Sequence, residues 1–198
     1  MEKNDLNLFL REINCFSDRE KDLKGMEILR KAFYNDENHY LYTEDDFATT
    51  NLDFFVQRVR SKYDKKELSE YRPRIFIIGD SSLTPGSTEI GFIIFNVHSF
   101  RNAQGTYCIY ISPEWQKHNY ASKSLLNFLE KIFKEEIWMK MMRIRIFPWN
   151  NASLNFHKKF FESKEFTDMF TATNFLDMKI AAIDGEYVNE TIYFIERK

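Results

Sequence analysis

The sequence predicts a mixed α/β domain, of the α+β kind, built on one sheet. Three observations predict it. Short apolar runs of strand type cluster in the middle and near the end of the chain. Two helical patterns, after Tyr120 and after Asn150, are separated by the strand-type run MRIRIF, Met142–Phe147. The 198 residues, 43% hydrophobic and 29% charged, fit one globular domain of ordinary size.

The elements follow in order. LNLFLREI, Leu6–Ile13, reads as a strand. Ser17 stands three positions before Glu20, the spacing of a capping box, and predicts a helix to about Tyr34. Leu23, Met26, Ile28 and Leu29 supply its apolar positions. Thr43-Glu44-Asp45-Asp46 predicts a second helix start, with Leu52, Phe55, Val56 and Val59 following at helical spacing. RIFIIG, Arg74–Gly79, reads as a buried strand. IGFIIFNV, Ile90–Val97, is apolar on both alternating faces, as a central strand should be. YCIYI, Tyr107–Ile111, is a third, and the short links suggest an antiparallel meander.

Ala121, Leu125, Phe128, Leu129, Ile132 and Phe133 form the clearest helical face in the chain. The strand-helix-strand from Tyr107 to Phe147 therefore predicts a parallel crossover. Asn150 or Asn151 caps a further helix to about Glu162, with Phe156 and Phe160 turned to the core. Two extended segments, Phe170–Ile180 and Tyr187–Glu196, close the chain around an Asp184-Gly185 turn.

Charge and cysteine usage exclude several classes. There are 28 basic and 30 acidic residues, a net charge of -2, so no basic excess points to nucleic acid or to an anionic membrane. Cys15 and Cys108 alone do not make a disulfide framework. The N-terminus lacks a signal-peptide pattern, and apolar runs such as Phe92–Phe95 are too short to cross a bilayer. A cytoplasmic location is expected.

The junction ISPEWQKHNYASKSLL, Ile111–Leu126, carries the chemistry. A strand stops at Pro113, and polar residues lead into a helix. A helix begins with N–H groups that lack partners inside it, and these, with the helix dipole, favour an anion. A turn aiming successive N–H groups at one point makes a phosphate cradle, which needs small residues or positive φ.

Together the order of elements and these residues resemble the GNAT superfamily of acetyltransferases. Its pyrophosphate loop reads V-x-P-x-x-[QR]-x-x-G-x-[GA]; here Ile111, Pro113, Gln116, Asn119 and Ala121 fall in register, with Asn119 where glycine is usual. Asn tolerates the left-handed conformation that glycine would supply. A second block, N-x-x-S-x-x-[FL]-Y-x-K-x-G-F, is matched by Asn150, Ser153, Phe156 and Lys159, with His157 in place of tyrosine and Phe161 in place of glycine. The tail segment D-G-x-x-x-[DN]-E is matched by Asp184, Gly185, Asn189 and Glu190.

The resemblance spans nearly the whole chain. It implies a GNAT-like fold: one largely antiparallel mixed sheet of about seven strands, a central parallel splayed pair and about four helices. Residues 1–198 form a single domain in this reading: an acceptor side over 1–70, an acetyl-CoA-binding core over 71–163 and a C-terminal hairpin over 164–198. It implies transfer of an acetyl group from acetyl-CoA to a primary amine by direct attack, with no metal. The diphosphate would lie on Gln116, Lys117, His118, Asn119, Tyr120, Ala121 and Ser122. The pantetheine arm would run along Ile109 and Ile111 and be held by Asn150, Ser153 and His157. A free strand amide near Ile111 would stabilise the oxyanion.

His157 stands where the family's tyrosine serves the departing thiolate, and a histidine with an ordinary pKa of ~6.5 is about one-quarter protonated at pH 7. Glu89, His98 and Asp80 are the candidate bases, and Tyr110 is a candidate cleft residue. Phe33, Tyr34, Tyr40, Tyr42 and Phe47, interleaved with Asp36, Glu37, Glu44, Asp45 and Asp46, suit a cationic amine. The acceptor and the oligomeric state, a homodimer included, stay open. So does an alternative: a non-catalytic acyl-CoA-binding or regulatory protein on the same fold.

Overall fold

The computed structural model describes residues 7–35, 50–64, 73–83, 89–181 and 187–198. Seven strands form one sheet in the order β1-β2-β3-β4-β5-β7-β6: β1 Leu8–Ile13, β2 Arg74–Asp80, β3 Glu89–Ser99, β4 Gln104–Ile111, β5 Met141–Ile146, β6 Phe170–Ala181 and β7 Tyr187–Arg197. The helices are α1 Glu20–Asn35, α2 Leu52–Asp64, α3 Tyr120–Glu135, α4 Asn151–Phe161 and the one-turn α5 Lys164–Thr167. This is the predicted mixed sheet with its parallel pair, and α5 adds to the four helices expected.

The chain divides into two compact units, residues 1–96 with 108–128 and residues 97–107 with 129–198. In the first, β1 pairs antiparallel with β2, and β2 with β3. All of β2 beyond Arg74 is buried. Both of its faces are covered, which is why it reads as an unbroken apolar run. On one face Ile75 and Ile77 join Phe92, with Met26, Leu29 and Phe33 of α1 and Phe55, Val56 and Val59 of α2. On the other, Phe128 of α3 meets Phe76 edge-on, with ring centroids 5.6 Å apart, and approaches Phe95 at 6.2 Å.

Helix starts differ from the capping prediction. Ser17 Oγ accepts from Arg19 N–H, not from Glu20, and the Arg19 carbonyl accepts the first helical bonds. Glu20 pairs instead with Lys24 one turn on. Helix α2 is opened by Asn51, whose side chain accepts from Phe54 N–H at 2.9 Å. The Thr43 start and the Asp184-Gly185 turn lie outside the described residues.

In the second unit, β4 pairs with β5 in parallel over Gln104–Thr106 and Met141–Arg143. Strand β5 pairs antiparallel with β7, and β7 with β6. Phe160, Phe161, Phe166 and Phe170 stand in a chain of ring contacts 5.0 to 5.7 Å apart, and Phe133 of α3 closes on Phe170 at 5.6 Å.

Candidate active site

The junction after β4 folds as a stop, a turn and a helix start. Ser112 N–H bonds to the Ile90 carbonyl, and Pro113 opens one turn of 3₁₀ helix, Pro113–Trp115. Gln116 N–H closes that turn on the Pro113 carbonyl at 3.3 Å. The next amide with a main-chain partner outside regular elements is Lys123, bonded to the Asn119 carbonyl at 3.2 Å. Between them lie the N–H groups of Lys117 to Ser122. Among the described residues no acceptor is recorded for Lys117, His118 or Asn119, and Tyr120 to Ser122 form the first turn of α3, whose amides have no partner within a helix.

Two non-glycine residues here take the left-handed conformation, Lys117 at φ 66° and Asn119 at φ 63°. The pattern reading anticipated this at Asn119; Lys117 was not foreseen. Left-handed residues turn successive N–H groups to one side, the geometry of an anion nest.

Side chains tie the loop down. Gln116 Nε2 donates to the Ile111 carbonyl at 3.0 Å. Tyr120, 5% exposed, donates its hydroxyl to Asp80 Oδ2 at 3.2 Å. Trp115 packs edge-on against the Tyr120 ring at 6.0 Å. Asp80 is fully buried, and its Oδ1 accepts from both the amide and the hydroxyl of Ser82, at 2.9 and 2.6 Å. Burial alone would raise the Asp80 pKa, but the Ser82 bonds, then those of Tyr120 and the Asn7 backbone, outweigh it and hold the carboxyl below its ordinary value. Its oxygens are engaged in structure, which sets it apart from a free base.

A second cluster lies in the other unit. Asn150 caps α4, its Oδ1 accepting from Ser153 N–H at 3.0 Å. One turn on, His157 is 3% exposed. Its Nδ1 lies 2.8 Å from the Ser153 carbonyl and 3.2 Å from Ser153 Oγ; its Nε2 lies 3.0 Å from the hydroxyl of Tyr107. A carbonyl only accepts, so Nδ1 carries the proton, Nε2 is the acceptor and Tyr107 O–H donates to it. Burial lowers the His157 pKa to about 4, against a small opposing effect of the Ser153 bond. The sequence reading expected an imidazole partly protonated at pH 7; in the structure it is neutral, with its one proton engaged by Ser153. Tyr107, read from sequence as an ordinary strand residue, is the hydroxyl this histidine holds.

The remaining candidates are placed as follows. Glu89, at the start of β3, is ion-paired with Arg11 of β1, with about a quarter of each side chain exposed. His98 Nε2 receives Arg143 Nη1 at 2.7 Å, and burial, then Arg143 and Arg145, lower its pKa. Tyr110 is buried and stacks on Phe92 at 5.2 Å within the α1–α2 core cluster. Ile109 is half-buried and Ile111 buried. Gly91 brings β3 against this end of β4: a Cβ there would stand 2.1 Å from the Tyr110 carbonyl oxygen. Burial pushes the Cys108 thiol up to about 12, which keeps it protonated and a poor nucleophile. Of the aromatic and acidic residues expected to grip the acceptor, Phe33 is core, Tyr34 is 49% exposed, and those from Asp36 to Phe47 lie outside the described residues.

Comparison with known proteins agrees with this fold. The family model "Acetyltransferase (GNAT) family" matches residues 26–161. No curated protein sequence matches the chain. Spermidine N-acetyltransferase from Vibrio cholerae, in complex with CoA and spermine, superposes with a TM-score of 0.64 at 13% identity, over 96% of this chain and 95% of that one. The ribosomal L7/L12 alpha-N-protein acetyltransferase in complex with coenzyme A gives 0.63 at 12%, over 95% and 93%. The Microcin C7 self immunity acetyltransferase in complex with acetyl-CoA and AMP gives 0.64 at 14%, over 96% and 92%. At these identities the structures establish a shared fold, and the family match spans more than half of the sequence. The chain belongs to the GNAT acetyltransferase family.

Proposed function

We propose that the protein is an N-acetyltransferase that moves the acetyl group of acetyl-CoA to a primary amine by direct attack. One observation carries the reading: the run of main-chain amides from Lys117 to Ser122, bent by two left-handed residues at the start of α3. These amides fit a diphosphate, because they supply donors and a favourable dipole without a cationic pocket. Gln116 to Ser122 would hold the diphosphate, and Ile109 and Ile111 the pantetheine arm.

Acetyl-CoA supplies the acyl group, and the chain must manage two protons. An alkylamine has a pKa of ~10.4, so a base must act on it near neutral pH. Glu89 is the candidate we retain, since its side chain, ion-paired with Arg11, is still partly exposed. For the departing thiolate we assign the hydroxyl of Tyr107. To serve, its O–H would turn from His157 Nε2 to the thiolate and pass its proton there, forming the thiol and leaving a phenolate beside the imidazole. Cys108, held protonated, is a poor covalent relay, which favours direct attack.

The runner-up, acyl-CoA binding without turnover, draws on the neutral, buried state of His157 and the paired state of Glu89. Calorimetry with coenzyme A, followed by thiol release over polyamines, peptides and amino-bearing antibiotics, decides between them. Binding with turnover on one class supports the transferase. Binding without turnover on any favours the runner-up, and absence of binding removes both.

A further inference from the structure

We infer that the Asp80–Tyr120 hydrogen bond is a tether that pre-organises the anion cradle, which makes these two residues positioning residues for the diphosphate; the inference rests on the reading that this loop holds coenzyme A. The cradle binds through main chain, so its affinity depends on where the main chain is held. Tyr120 is the first residue of α3 and directly follows left-handed Asn119. Its ring is buried against Trp115, and its hydroxyl reaches the end of β2 forty residues back in sequence. Asp80 is itself fixed: fully buried, it receives two bonds from Ser82, and its own carbonyl accepts Leu83 N–H at 3.2 Å. The chain from Asn119 to Ala121 therefore hangs on a rigid post.

Gln116 makes the second attachment, to the Ile111 carbonyl. The two ties bracket Lys117 to Asn119, the residues whose amides lack recorded acceptors. A loop clamped at both ends loses little conformational freedom when an anion arrives, and pre-organisation of this kind appears directly as affinity. A buried carboxylate near an anion site would by itself oppose a diphosphate. Its oxygens are satisfied instead by neutral hydroxyls and an amide, which fits a mechanical role.

The test separates the tether from general stability. Tyr120→Phe keeps the ring packing and removes only the hydroxyl; Asp80→Asn keeps the shape and removes the charge. Calorimetry compares coenzyme A with pantetheine, which lacks the diphosphate. Tyr120→Phe should lose about fivefold to tenfold in coenzyme A affinity, the order of one ordinary hydrogen bond, and Asp80→Asn, which also removes a charge opposed to the diphosphate, should lose less, while pantetheine affinity stays within about twofold for both. Unchanged coenzyme A affinity, equal losses for both ligands, or a lower melting temperature alone would overturn the tether. If the wild-type protein fails to bind coenzyme A, the proposed function falls first and the tether with it; if it binds and the variants match it, only the tether falls.

Discussion

The loop at the start of α3 and the cluster around His157 solve the placement of polar groups in opposite ways. In the loop, the groups left available are main-chain amides, and the side chains Gln116 and Tyr120 serve as fasteners. In the cluster, the main chain of α4 is helical, and the groups brought together are two side chains, Tyr107 and His157, closed off from water at 7% and 3% exposure. The first arrangement tolerates changes of side chain as long as φ is kept. The second is tied through side-chain atoms, His157 Nδ1 to the Ser153 carbonyl and hydroxyl and Nε2 to the Tyr107 hydroxyl. A backbone cradle of the kind proposed needs only φ at the position of the family glycine, whereas the proposed proton-handling pair depends on the side chains themselves.

Three measurements test this contrast. The largest effect is expected from Tyr107→Phe. If the hydroxyl handles the thiolate proton, turnover should fall about a hundredfold, the usual order for a lost acid, with coenzyme A affinity unchanged. A fall in affinity with turnover intact would move Tyr107 from chemistry to binding.

Next comes acid sensitivity. The folded His157 pKa is lowered to about 4 from the ordinary 6.5. Between these values the unfolded chain takes up a proton that the folded chain refuses. Stability from this group is therefore complete above pH 6.5 and is lost as pH falls towards 4. The loss should total about 3 kcal/mol at ~1.4 kcal/mol per pH unit. Denaturant melts of wild type and His157→Gln across that window check it: the variant's profile should be flatter, and parallel profiles would mean that His157 is not buried neutral.

The smallest effect belongs to the loop. Asn119→Val forces a β-branched residue to φ 63° and should cost about 1–3 kcal/mol, seen as weaker coenzyme A binding or lower stability. Asn119→Gly should be neutral or slightly favourable to binding. If both variants match wild type, the left-handed turn is not what aims the amides.

Much of the fold was legible because it rests on local periodicity. The unbroken apolar runs of β2 and β3, the α3 face from Leu125 to Phe133 and the Asn150 cap were all readable, since each signal lies within one element. The cradle was readable for the same reason: proline stop, left-handed residue and helix start fall within ten residues. Helix α5 was not foreseen; four residues capped by Ser163 show no period. At Ser17 the capping-box bonds are not formed: the hydroxyl takes Arg19 N–H, and Glu20 pairs with Lys24 one turn on. The Tyr107–His157 contact was illegible in principle. The partners are fifty residues apart, and no window of sequence holds both. The same holds for Asp80 and Tyr120.

Gly91 is a reminder that absence can do structural work. The oxygen of Tyr110 fills the space where a methyl group would stand, so the path of the neighbouring strand depends on an atom that was never there. A deep mutational scan scored on catalysis would mark this position as intolerant as any ligand contact. Tolerance maps alone would then mistake a spacer for a member of the catalytic machinery.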